Sequence, residues 1–295
     1  MPTFSLASVL FVDGKDGQAT GDPLKALDAV AAAGFRETEL IAEGPAWASG
    51  DHPDPRPYRA ALKRLGLYAH SIHAPYTQTD LASLDDGERR EAVRRVASAL
   101  RFLGELGGRT VIVHSHLRRK GAPAHTPEML GRLVEASQRS IGELVPVAEK
   151  AGVRMALENL ASTGNPFRPL QTMQELRAFI APLPRQQVGI CQDIGHTRLR
   201  GLDVAEQTRI AGDRLYALHI QDGSSPEDDH LPPGRGVIDF DAFGKALKDI
   251  AFDGAWTFEI GYKNYPGSLE EAASEVAAVR ERWEKHGIKK VPPPS

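Results

Sequence analysis

VRMALE at residues 153–158 and VGICQD at 188–193, with a helical pattern over 171–181 between them, are the stretch that decides the fold. Strand, crossover helix and strand in 41 residues is one parallel unit, because the helix returns the chain to the same edge of the sheet. Each run ends on a carboxylate, Glu158 and Asp193. Two later apolar runs repeat the design: LYAL closes on His219 and WTF closes on Glu259. A buried carboxylate without a partner costs several kcal/mol, so these strand tips need a cation or strong donors.

Working outward, the alternation covers the whole chain. Strand patterns fall near 4–12, 35–41, 67–73, 109–115, 153–158, 187–193, 214–220 and 255–260. Helical patterns lie near 22–33, 55–65, 85–106, 127–151, 171–181, 203–211, 239–251 and 268–286. Eight of each in 295 residues is the count of an α/β protein with a single (β/α)8 TIM barrel, expected over residues 1–288 with a frayed tail at 289–295. Gly34, Gly66, Gly107–Gly108, Gly152 and Gly254 precede strands, where left-handed helix C-caps are expected. Asp22–Pro23 and Thr126–Pro127 read as helix starts. Between residues 89 and 106, Val93, Val96, Ala97, Leu100 and Leu103 form a stripe that should face the barrel wall.

Composition sets bounds. With 41% hydrophobic residues, 25% charged residues and a net charge of −3, the chain has no polyanion-binding signature, and nucleic acid is not the expected partner. The single cysteine, Cys191, forbids an intrachain disulfide and reads as a small buried residue. MPTFSLASVLFVDG lacks a basic n-region, and no apolar run reaches 18 residues, so neither secretion nor a membrane span is expected and the cytoplasm is the default. There is no G-x-G-x-x-G after the first strand, no P-loop, no G-x-S-x-G elbow and no H-E-x-x-H.

In an α/β barrel the strand C-termini converge on the catalytic face. Glu158, Asp193, His219 and Glu259 are therefore the expected metal ligands. Three carboxylates and one imidazole make an oxygen-rich shell that suits Mn²⁺, Mg²⁺ or Co²⁺, with Zn²⁺ also accommodated. More histidines gather toward the same face: His73 and His114 at strand tips, His116 close by, His196 in DIGH, and His230 with Asp228 in the loop EDDHLPPGRG. These are expected as further metal or substrate ligands. Trp47 could stack on a substrate ring and Arg235 could contact a substrate hydroxyl, carboxylate or phosphate. Glu37, Glu39 and Glu43 make the segment after the second strand acidic, while Arg118, Arg119 and Lys120 make another loop basic.

SIHAPY, VIVHSH, ALENL, QDIGH, LHIQD, DDHLPPGRG and TFEIG, in this order over residues 70–262, resemble the xylose-isomerase-like superfamily of TIM barrels. That superfamily holds sugar isomerases and epimerases together with the endonuclease IV group. The resemblance implies a metal-dependent isomerase or epimerase acting on a sugar or keto-sugar through an enediolate held at the metal. Glu158 and Glu259 would serve as acid and base and Mn²⁺ as the first-choice metal, with His196 holding a substrate oxygen. It also implies two alternatives: a lyase or dehydratase on a keto-sugar or cyclitol, and a zinc phosphodiesterase. For the last, His73, His114, Glu158, Asp193, His196, His219, Asp228, His230 and Glu259 resemble the trinuclear zinc ligands of endonuclease IV. Homodimers or homotetramers are common among such relatives.

Overall fold

The structure, a computed structural model, describes residues 3–14, 21–77, 79–116, 126–161, 169–289 and 291. Eight strands, β1 (Thr3–Ala7), β2 (Glu37–Ile41), β3 (Tyr68–His73), β4 (Thr110–Val113), β5 (Arg154–Glu158), β6 (Val188–Asp193), β7 (Leu215–Ile220) and β8 (Ala255–Phe258), close into one parallel barrel in chain order. Closure comes from β1 pairing with β8, with Thr3 opposite Ala255. The described helices are α1 (Val9–Val12), α2 (Pro23–Ala32), α3 (Pro55–Leu65), α4 (Asp86–Leu106) and α5 (Pro127–Ala151), then α6 (Met173–Ile180), α7 (Ile194–Leu199), α8 (Val204–Ala211), α9 (Phe240–Asp249) and α10 (Leu269–His286). None of them is long and apolar enough to cross a membrane.

The expected stripe on α4 is buried at Val96, Ala97, Leu100 and Leu103, with Val93 packed partly against the same core. Asp22 caps α2 by accepting from Leu24 N–H at 2.9 Å, with Pro23 in the first turn. Gly34, Gly66, Gly107 and Gly152 adopt positive φ as expected. Gly254 does not. Ala251 takes the left-handed turn after α9 at φ 51°, and Gly254 is glycine for space, since a Cβ there would meet the Tyr216 carbonyl at 3.0 Å and the Phe252 ring.

Two boundaries depart from the sequence reading. The apolar run at 4–12 is a short strand followed by the α1 turn, because Leu10 and Val12 are buried in helical geometry and a short apolar run carries no period that separates the two states. Directly after β6 the chain enters α7 rather than a loop, with Asp193 as its N-cap, accepting from His196 N–H at 2.7 Å. The tail from 289 and the basic residues 118–120 lie largely or wholly outside the described residues.

Candidate metal centre and active site

β5 and β6 deliver Glu158 and Asp193 on their last residues, β7 delivers His219 one residue before its end, and Glu259 follows β8 directly. Parallel register sets Asp193 opposite His219, Glu158 opposite Cys191 and His219 opposite Thr257, so each tip lies within two residues of its neighbour's level. The structure brings all four together: one ligand atom from each lies within 4.8 Å of the others. Ligands bonded at 2.0–2.6 Å to one ion stand no more than about 5 Å apart, so the set fits a single cation. Asp193 and His219 are fully buried, Glu158 is 1% exposed, and the Glu259 side chain is 12% exposed. His219 Nδ1 and Glu259 Oε2 face each other at 3.0 Å, yet neither has an aligned hydrogen-bond partner. Two buried lone-pair donors aimed at one space are what a divalent cation would satisfy.

The other histidines surround this set. His73 Nε2 and His114 Nε2 stand 3.3 and 3.2 Å from Glu158 Oε2. His196 Nδ1 lies 3.3 Å from Glu158 Oε1, and His196 Nε2 lies 3.1 Å from Asp228 Oδ2. Asp228 also faces His230 Nε2 at 3.3 Å. His73, His114 and Glu158 form a second compact donor group, and Asp193, His196 and His230 a third. His116 is buried with Nδ1 3.2 Å from Ser115 Oγ and belongs to none of the three.

Burial disfavours charge on every one of these groups, and their mutual attraction decides the outcome. Burial pushes Asp193 up to about 6 against the pull of His196 and His230. For Glu259, burial pushes up, but His219 and His230 together overcome it and hold it at about 2; Glu158, also pushed up by burial, is held well below its ordinary value by the surrounding histidines, His219 and His114 foremost. His230 is drawn up to about 10 by Asp228 despite its burial. His196 and His219 are also held well above the usual range against burial, the first mainly by Asp193 and Asp228, the second by Cys191 and the glutamates. In the metal-free protein, then, Glu158 and Glu259 are anionic at neutral pH, and His219, the one imidazole of the four-ligand set, holds a proton that a cation would displace.

The cluster opens into a cavity of about 420 Å³, within the range of small-molecule sites. Tyr76, Lys263 and Asn264 line its outer wall. Two expected substrate contacts are corrected. Trp47 is 4% exposed and packs edge-on against Phe102, ring centroids 5.2 Å apart, so its face is unavailable to a sugar. Arg235 pairs with both Glu275 oxygens at 2.8 Å and lies over the Tyr265 ring; neither it nor Trp47 lines the cavity.

Other residues escaped the sequence reading. Asn159 exchanges two hydrogen bonds with the Asp193 main chain, accepting at 2.8 Å and donating at 3.0 Å. Gln221 donates to both Asp193 oxygens at 2.9 and 3.1 Å. Each follows a ligand by one or two residues in ALENL and LHIQD, where a polar residue at a strand tip was the available signal. Glu39, one of the three glutamates that make its segment acidic, is 2% exposed inside the barrel. Glu43 is also committed, accepting from the N–H groups of Tyr76 and Thr77.

The xylose isomerase-like TIM barrel family model matches residues 27–283. A D-psicose 3-epimerase of Enterocloster bolteae is 28% identical over 208 residues, covering 68% of this chain and 64% of that protein. An inosose isomerase of Bacillus subtilis is 29% identical over 141 residues, covering 46% of this chain and 50% of that protein. The chain thus spans about half to two thirds of the length of these curated relatives. The solved D-psicose 3-epimerase with D-tagatose from Clostridium cellulolyticum H10 superposes with a TM-score of 0.81 at 20% identity, covering 98% of this chain and all of that one.

Proposed function

Since the chain belongs to the xylose isomerase-like TIM barrel family, we propose that it is a metal-dependent isomerase or epimerase that moves a proton on a sugar or keto-sugar in the cytoplasm. Glu158, Asp193, His219 and Glu259 hold the divalent cation, with Mn²⁺ first choice among Mn²⁺, Mg²⁺, Co²⁺ and Zn²⁺, since the three carboxylates suit a hard ion and the imidazole tells against Mg²⁺. The observation that carries this reading is that two anionic glutamates belong to one compact donor set and also line one sugar-sized cavity. The relatives named D-psicose 3-epimerase and inosose isomerase support a ketone-bearing polyol as substrate.

A bound cation supplies Lewis-acid polarisation of substrate oxygens, which acidifies the neighbouring C–H. Glu158 and Glu259 are ionised at neutral pH, so either can accept that proton; the carboxylic acid so formed returns it, or passes it through solvent to the other glutamate, which then returns it. Glu259 is the more accessible of the two and meets the cavity, whereas His73 and His114 steady the second oxygen of Glu158. His196 is oriented by its Nδ1–H, which donates to the Asn159 carbonyl at 2.9 Å and leaves Nε2 toward Asp228 and the cavity. A substrate hydroxyl can take the Asp228 position there.

The test is incubation of Mn²⁺-loaded protein in D₂O with a panel of ketoses and inososes. The expected outcome is deuterium at the carbon next to the carbonyl, with formation of the epimer or isomer. A panel that stays unlabelled overturns the proposal.

One observation favours a second reading, a zinc phosphodiesterase: the three donor groups lie side by side. Three tightly held zinc ions per chain together with cleavage of abasic DNA would select it; one ion and no cleavage would leave the sugar reading standing.

A further inference from the structure

Glu39 sits in the middle of β2, opposite Ala7 of β1 and Ser71 of β3. A 2% exposed carboxylate in a barrel interior demands partners, and both oxygens have one. Oε2 accepts from Ser71 Oγ at 2.7 Å, and Oε1 lies 3.0 Å from His219 Nε2. β2 and β7 are not neighbours, so the second contact crosses the barrel.

The contact sets His219 apart. His73, His196 and His230 each place Nδ1 against a main-chain carbonyl, of Ala74 at 2.8 Å, Asn159 at 2.9 Å and Glu259 at 3.1 Å, and turn Nε2 inward. His219 is reversed: Nε2 meets a carboxylate, and Nδ1 faces Glu259 at 3.0 Å and Glu158 at 3.5 Å. A neutral imidazole carries one N–H, and the acceptor it finds decides which nitrogen keeps a lone pair. A carboxylate acceptor also makes the remote nitrogen a stronger ligand than a carbonyl does.

We propose that Glu39 is a positioning residue for the metal shell: its carboxylate takes the Nε2–H hydrogen bond of His219 and presents the Nδ1 lone pair to the cation. Ser71, by holding the other oxygen, sets the angle of the carboxylate. The inference rests on the metal-dependent reading above, and its test separates the two.

Mn²⁺ affinity is measured by calorimetry on the full chain and on Glu39→Gln, Glu39→Ala and Ser71→Ala, with circular dichroism to establish folding. Loss of a ligand's supporting partner lowers affinity by roughly 10–100-fold. Glu39→Gln, which retains an acceptor oxygen, is expected near the lower end and Glu39→Ala near the upper. Ser71→Ala should stay within about threefold by the same reasoning, since it leaves the imidazole contact intact. ¹⁵N-histidine spectra of the Zn²⁺-loaded wild type should show His219 protonated on Nε2, and that hydrogen-bonded proton should vanish in Glu39→Ala. Unchanged affinity in folded Glu39→Ala, a loss in Ser71→Ala equal to that of Glu39→Ala, or a wild-type His219 protonated on Nδ1 would each overturn the assignment. The last reading needs no variant. Wild-type protein that binds no divalent cation would instead bring down the metal-dependent function, and this inference with it.

Discussion

Glu158 and Glu259 both close strands, yet their surroundings assign them unequal work. Glu158 is sealed among the imidazoles of His73, His114, His196 and His219, all within 3.5 Å. Glu259 borders the cavity and touches His219 and, at 3.7 Å, His230. Removing a general base typically costs 10²–10⁴ in rate, so Glu158→Gln and Glu259→Gln are each expected to lower kcat by about a hundredfold or more. The measurement is turnover at saturating Mn²⁺, which separates lost acid–base chemistry from weakened metal binding. Near-wild-type turnover in either variant removes that residue from the proton-transfer step. At this scale the strand tips were legible because an ionisable residue ending an apolar run is unusual. Glu39 was not so marked: period two sets Glu37, Glu39 and Ile41 against Thr38 and Leu40, and each face carries one aliphatic residue, so the pattern does not say which is interior. Trp47 and Arg235 were misread because side-chain chemistry does not tell which neighbour a side chain packs against.

Among the elements, the connection from β7 to α9 matters most to the site, since it carries Asp228 and His230. Asp222, 1% exposed, holds it together by accepting from the main-chain N–H groups of Gly223, Gly234, Gly236 and Ile238. Gly236 passes so close that a Cβ would sit 2.2 Å from Asp222 Oδ1 and from Gly223 N, which is why a glycine stands there. Buried N–H groups stripped of an acceptor cost about 1–3 kcal/mol each unless they reach water. Asp222→Ala is therefore expected to open the loop. Amide exchange at Gly234 and Gly236 should accelerate at least tenfold, and kcat/KM should fall with it as Asp228 and His230 lose their support. Protection unchanged from the wild type would show that the loop stands without this carboxylate. EDDHLPPGRG reads as a loop from its composition, but the acceptor that organises it, Asp222, lies 12 and 14 residues before the glycines it holds, at the start of the same connection.

For the molecule as a whole, the buried charges tie metal binding and stability to pH. His230, raised from 6.5 to about 10, adds stability that is complete below pH 6.5 and disappears as pH rises through 10. Glu259, lowered from 4.5 to about 2, adds stability that is present above pH 4.5 and lost as pH falls through 2. Asp193, raised from 3.8 to about 6, works in the other direction, and its share fades as pH climbs through 6. Metal-free protein should accordingly be most resistant to heat near pH 4.5 and lose stability as pH rises through 6 and again above 6.5, read as Tm against pH in chelator. A cation must displace the His219 proton, so Mn²⁺ loading at pH 7 should release protons and tighten with rising pH. Calorimetry in buffers of different ionisation enthalpy measures that release, and a value of zero would contradict the charge states assigned to the cluster.

Local pattern was enough for the order of strands and helices, the closed parallel architecture and the strand-tip positions of Glu158, Asp193, His219 and Glu259. Apolar period and turn chemistry are properties of neighbouring residues, and the right-handed strand–helix–strand rule carries them to a barrel. Local pattern was not enough for the contact between Glu39 and His219, 180 residues apart, nor for the withdrawal of Trp47 and Arg235 into other partnerships. Those outcomes exist only once the sheet closes, because closure sets which inward side chains meet across the axis and which outward ones are consumed by packing.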